Sequence, residues 1–421
     1  MSFQRLLIWL PSFVLALWIF PAWSAAGRAG EAPTVELPRT ALEPGQLAVI
    51  VNEADPQSVQ VADYYRQRRG IPDANVIRVR FKAGESNLPR EEFERVKREV
   101  DALTPPTVQA FALAWTAPYR VDCMSITSAF ALRFDPAFCS TQRCALTRAV
   151  GYFNSSSDAP HTQQKLRPAM MLAGKSFEDA KALIDRGVAS DYTYPRGTGY
   201  LLSTSDRSRT VRDVLFPEVR ARLAQVFRLE YPKADFIENR KDVLFYFTGM
   251  VDVKFLDTLH FLPGAVADHL TSAGGQLTDS GQMSSLRWLE AGATASYGTV
   301  VEPCNLLTKF PHPGILMWYY ATGNTVLEAY WKSVAMPGEG VFIGEPLAKP
   351  FGAKLLGVDG RRARIKLFAP GRNLLGVEAA ASPIGPYRLM DKAYVLAPGP
   401  NEVTIALPPG LEHFRLKLLR Q

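Results

Sequence analysis

The sequence predicts an α/β protein, with a parallel-sheet core carrying helices on both faces and a C-terminal all-β sandwich. Between residues 46 and 350, short apolar runs alternate with amphipathic helical segments, the mark of strand–helix–strand crossovers. From about Phe351 helical periodicity stops, and short strand-like runs separated by Gly, Pro, Asp and Asn follow one another. A length of 421 residues also exceeds one compact core and predicts two or three domains.

The N-terminus reads as an export signal over residues 1–24. Arg5 supplies the positive end, Leu6–Trp23 is mostly apolar, and Ser24-Ala25-Ala26 offers small residues for cleavage after Ser24 or Ala26. Residues 25–45 are expected to be a linker. No later stretch is apolar enough to span a bilayer, so the mature chain is expected to lack a transmembrane segment and to reside in the periplasm or outside the cell.

Within the core, Gln46–Asn52 is a strand buried on both faces. Asp55-Pro56 caps a helix that Gly70 stops. A strand over Asn75–Phe81, a helix over Arg90–Leu103 and a strand over Val108–Trp115 complete an N-terminal α/β subdomain, residues 46–165, whose tail from Met124 to Gln164 is a surface excursion pinned by a disulfide. A second subdomain, residues 166–350, has strands at Pro168–Ala173, Gly199–Thr204, Asp242–Thr248, Gly264–Leu270, Ala293–Val300 and Gly340–Gly344. Its helices fall near Ser176–Ala189, Val214–Leu229, Ser284–Glu290 and Thr325–Ser333. The sandwich occupies residues 351–421.

Charged residues make up 21% and the net charge is +7, so a folded chain is expected. The tightest basic cluster, Arg66-Gln67-Arg68-Arg69, closes a helix, where cations oppose the negative dipole end, and no nucleic-acid motif accompanies it. No cofactor motif or metal-ligand spacing is present, and none is expected to be bound. Export favours disulfides among the four cysteines: Cys139 with Cys144 around a short loop, leaving Cys123 and Cys304 to pair or one to stay free.

The run LAVIVNEADPQSVQVADYYRQRRGIPDANVIRVR (Leu47–Arg80), with SYGTVVEPCN, EAYWKSV and GVFIGEP, resembles a family of uncharacterised exported bacterial proteins. More distantly, LAGKSFEDAKALIDRGVASD, VLFYFTG, GAVADHLTSAGG, GATASYGT and TVLEAYW resemble the gingipain-type cysteine peptidases, which implies a caspase-like core. The resemblance would place that family's Gly-His at Gly249-Met250 and its nucleophile near Thr271-Ser272. Neither position carries the needed side chain, since a cysteine peptidase requires a thiolate beside an imidazole.

The remaining candidates gather in Gly264–Pro346. His269 is a candidate base, Asp268 its orienting group, and Ser272 or Cys304 the nucleophile, against the ordinary outcomes of a backbone-bonded histidine and a disulfide. Gly274 and Gly275 would let amides approach an anion, unless they form a plain turn. Glu302 and Glu345 are candidates to line one sheet edge and hold a cation or substrate amine. Asp206 begins a turn after a strand. His312, between prolines, reads as a surface loop residue. The expectation is a degenerate peptidase-like core that binds a peptide or cell-envelope component at its strand ends. The alternatives are a hydrolase with a rearranged set and a structural envelope protein.

Overall fold

The computed structural model describes residues 33–140 and 144–419. The expected signal peptide over 1–24 lies outside the described residues.

The first described strand, β1 (Thr34–Glu36), falls in the stretch assigned to a linker and belongs to the C-terminal module. The core starts with β2 (Leu47–Asn52), buried at every position. The Asp55 side chain accepts from Gln57 N at 2.9 Å and starts α1 (Pro56–Arg69), and Gly70 at φ 64° ends it. Then come β3 (Val76–Val79), α2 (Arg90–Leu103) and β4 (Ala110–Leu113).

A small hairpin, β5 (Arg120–Val121) and β6 (Met124–Ser125), leads into α3 (Ile126–Leu132). This corrects the first part of the expected surface excursion, while the described residues beyond Leu132 are largely irregular up to Pro160. Ser125 caps α3 by accepting from Ser128 N, and Ile126, Ala129 and Phe130 are buried in the main core. Seven residues are too few to show helical periodicity, and Ser and Thr among them imitate a loop. After α4 (Pro160–Gln164) come β7 (Ala169–Met171) and α5 (Phe177–Ser190), whose capping box pairs Ser176 with Asp179.

Next are β8 (Thr198–Leu201), α6 (Phe216–Leu223), β9 (Arg228–Glu230) and β10 (Val243–Thr248). The helix expected over Val214–Leu229 therefore stops early and gives way to an edge strand. The core closes with β11 (Phe261–His269), α7 (Leu286–Glu290), β12 (Ala295–Thr299), α8 (Pro313–Ala321), α9 (Val326–Ser333) and β13 (Gly340–Gly344).

These strands build one ten-stranded sheet in the order β3-β2-β4-β7-β13-β12-β11-β10-β8-β9. Every neighbouring pair is parallel except β13 with β12, where Ala295 faces Gly344 and Thr299 faces Gly340. The sheet is thus two parallel halves of opposite direction joined at an antiparallel seam. β7 lies in the first half and not with the second subdomain, because it pairs with β4 and β13. Both faces of β10 are buried: Tyr246 packs with Tyr200 and Trp288 on one side, Phe245 and Phe247 with the main core on the other.

The C-terminal module contains β14 (Lys354–Asp359), β15 (Arg362–Ala369), β16 (Asn373–Ala380), β17 (Arg388–Leu389), β18 (Tyr394–Leu396), β19 (Gly399–Ala406) and β20 (His413–Leu419). They form two sheets, β14-β15-β19 and β1-β20-β16-β17 with β18 also on β16. Ile365 and Ile405 of the first and Val377, Phe414 and Leu416 of the second share one buried cluster, the arrangement of a small sandwich. Phe351 and Phe368, with ring centres 4.8 Å apart, join the module to Phe227 of the core.

Candidate functional site

In the second half-sheet the chain runs outward from β8 to β9 and then crosses back to β10. That reversal places a crevice at the carboxyl ends of β8 and β10, where ligands of open α/β sheets bind. A cleft of about 300 Å³ opens beside it, lined by Ser208, Arg209, Leu270, Thr271, Ser272, Glu302, Cys304 and Asn305. Leu270, Thr271, Ser272, Glu302 and Cys304 of the stretch Gly264–Pro346 line it, but their chemistry differs from the expectation.

His269, at the end of β11, is buried rather than open to the cleft. Trp288 Nε1 donates to its Nδ1 at 2.9 Å, so that nitrogen carries no proton. Its Nε2 therefore carries the proton and donates to the Met283 carbonyl at 3.0 Å. Both ring nitrogens are occupied. Burial pushes the imidazole down to about 3, with Arg212 and Arg209 adding smaller effects in the same direction. A neutral ring with its one lone pair engaged has no way to accept a proton from Ser272 or a water.

Asp268 does not orient His269, because successive strand residues point to opposite faces. Its Oδ1 pairs with Arg212 Nη1 at 2.5 Å, the side chains being 1% and 2% exposed. Arg212 also donates to the Thr248 carbonyl at 2.8 Å, joining the ends of β10 and β11. Burial raises the Asp268 carboxyl, and Arg212 opposes that rise.

Cys304 is oxidised, but its partner is Cys144, while Cys123 pairs with Cys139. This corrects the expected Cys139–Cys144 pair. The folded excursion after α3 brings Cys139 back to Cys123 and leaves Cys144 to reach the cleft rim. No thiol remains to act as nucleophile.

The Gly275 amide is not offered to a ligand. Gly275 N donates to the Thr299 carbonyl at 2.9 Å, and the Gly274 carbonyl accepts from Ser285 N at 2.7 Å. The lack of a side chain at Gly275 is needed for packing: a Cβ there would sit 2.4 Å from the Gly298 oxygen. The two glutamates lie at opposite edges of the sheet, because β12 and β13 are antiparallel. Glu302 lines the cleft, exposed, and accepts from Cys304 N at 2.8 Å. Glu345 is buried with Arg69 and Tyr65, whose hydroxyl donates to it at 2.6 Å. His312 is not a loop residue: its Nδ1 accepts from Ile315 N at 3.3 Å and caps α8.

What the sequence reading passed over is Arg209. Asp206 anchors it through Nη1 at 2.9 Å, and Nε donates to Thr271 Oγ1 at 3.1 Å, which in turn donates to Gln282. The loop that carries Arg209 crosses tight against Gly249, where a Cβ would lie 2.0 Å from the Arg209 oxygen. Ser208, Ser272 and Asn305 complete the cleft with side chains that make no hydrogen bond among the described residues. The available signal was a strand followed by Ser-Asp-Arg-Ser-Arg at Ser205–Arg209, a polar turn rich in anion-binding groups.

Among the described residues no cluster of three His, Cys, Asp or Glu suits a metal ion, and no helix is long and apolar enough to cross a membrane. No family model matches the chain, and no curated protein matches it. A solved structure described as "Structure of Protease" aligns over 87% of this chain and 98% of its own, with a TM-score of 0.37 and 10% identity. A likeness at that level carries no argument about fold detail or chemistry.

Proposed function

We propose that the chain is an exported binding protein that holds a peptide in the strand-end cleft and does not cleave it with the Asp268, His269, Ser272 and Cys304 set. One observation carries this reading: the cleft keeps a cation and an anion on its wall, Arg209 and Glu302, while the neighbouring imidazole of His269 is sealed away and fully bonded. A peptide presents a carboxylate and an amine, and an anchored guanidinium and an exposed carboxylate complement those groups. The hydroxyls of Ser208 and Ser272 and the Asn305 amide supply hydrogen bonds to a backbone. A volume of about 300 Å³ suits a few residues at most.

The test is a thermal-shift screen of the mature chain against tripeptides with free termini. A concentration-dependent rise that disappears in Arg209→Ala and weakens in Glu302→Gln is the expected result. Release of cleaved product, or a fluorophosphonate adduct on Ser272 that His269→Ala abolishes, would instead make the chain a hydrolase.

A further inference from the structure

A second pocket of about 300 Å³ lies away from the cleft, where α2, the end of α3, α4 and the start of β7 meet. It concentrates charge of one sign. Lys97, Arg133, Lys165 and Arg167 line it with His161, against a single carboxylate, Asp101. Asp101 pairs with both Lys97 and Arg133. Among the described residues neither Lys165 nor Arg167 has an acidic partner: Lys165 Nζ donates to the Thr162 carbonyl at 3.3 Å, and Arg167 Nε to the Val108 carbonyl at 3.0 Å. The outer nitrogens of Arg167 and both ring nitrogens of His161 make no hydrogen bond among the described residues.

We propose that this pocket binds a small molecule bearing a phosphate group. Four cations around one carboxylate leave a surplus of positive charge that a dianion neutralises better than a carboxylate would. The inner part of the group lies below the surface, with Arg133 and Lys165 exposed at the rim. Lys97 is buried, and both it and Arg167 stand over the Phe111 ring, at 5.9 Å and 5.7 Å from its centre. An aromatic floor lowers the local dielectric and strengthens the pull on an anion. The electrostatics of the cluster agree with this. Burial lowers Lys97, with Arg133 and Arg167 adding to the effect of burial, and burial followed by Arg167 and Lys165 lowers His161. A bound phosphate would offset the like-charge part of these shifts.

The source of the phosphate is either a free metabolite or a lipid headgroup, and the experiment separates them. Calorimetric titration of the mature chain uses inorganic phosphate and glycerol 3-phosphate, and flotation uses phosphatidylglycerol vesicles. Binding of the soluble phosphates is expected, with about a tenfold loss of affinity in each of Lys165→Gln and Arg167→Gln. Lys417→Gln, on β20 of the C-terminal module, should leave it unchanged. Lys165 is exposed, so its variant keeps the test valid even if Arg167→Gln folds poorly. Flotation that Lys165→Gln abolishes assigns the phosphate to a headgroup, and soluble binding without flotation assigns it to a metabolite. No heat up to roughly 10 mM phosphate together with no flotation, or binding that both variants retain, would overturn the proposal.

Discussion

The indole N–H of Trp288 donates to Nδ1 of His269 at 2.9 Å, fixing a histidine that resembles a catalytic base as a neutral, buried strut. Its depressed pKa makes a definite pH signature. An unfolded histidine takes up a proton near 6.5, while the folded one resists until about 3. The contribution of this residue is therefore complete above pH 6.5 and is lost as pH falls toward 3, by up to about 1.4 kcal/mol per unit. Histidine NMR resonances should show one ring that does not titrate between pH 8 and 4. Trp288→Phe should restore some titration.

The buried pair of Arg212 and Asp268 holds the ends of β10 and β11 together. Arg212→Met or Asp268→Asn alone should cost about 3–5 kcal/mol, because each leaves a buried charge or polar group without its partner. Replacing both should cost much less than the sum. Urea unfolding of the four proteins in a double-mutant cycle measures this, and additive losses would contradict it.

Gly249 controls the cleft from beneath. Gly249→Ala places a methyl group 2.0 Å from the Arg209 oxygen, so the loop over Ser203–Thr210 must move. The expected outcome is a destabilisation of about 1–3 kcal/mol, as for other overpacked sites, together with lost peptide binding. Gly281→Ala, where a Cβ meets nothing within 4 Å, is the control.

Disulfide mapping by non-reducing digestion should find Cys123 linked to Cys139 and Cys144 to Cys304. Loss of the second bond through Cys144→Ser with Cys304→Ser should cost about 2–5 kcal/mol, as for other native disulfides, and loosen the cleft rim at Asn305. Hydrogen exchange across residues 301–308 reads the rim directly.

Much of the core was legible from local patterns. The helices Pro56–Arg69 and Arg90–Leu103 and the strand Gly340–Gly344 follow from capping residues and uniform apolar runs. The failures share one physical cause, which is that long-range pairing decides them. Nothing near Cys139 says that a buried helix will return it to Cys123. Nothing in GAVADHL says that Trp288 and Met283 will close over His269, nor that Asp268 will meet Arg212. The direction of β13 relative to β12 is equally silent in the sequence, and it sends Glu302 and Glu345 to opposite edges.

The antiparallel seam also sets the order in which the sheet can be completed. β7 needs β13 as its neighbour, and Met171 pairs with Ile343, so the first half-sheet waits for nearly the whole core to emerge. Until then β7 presents an unpaired, fully apolar edge, the kind of surface that recruits other chains. Closing one distant strand pair is thus expected to compete with sticking to a neighbouring chain. Refolding yield should fall with protein concentration, and a peptide spanning β13 added in trans should recover part of it.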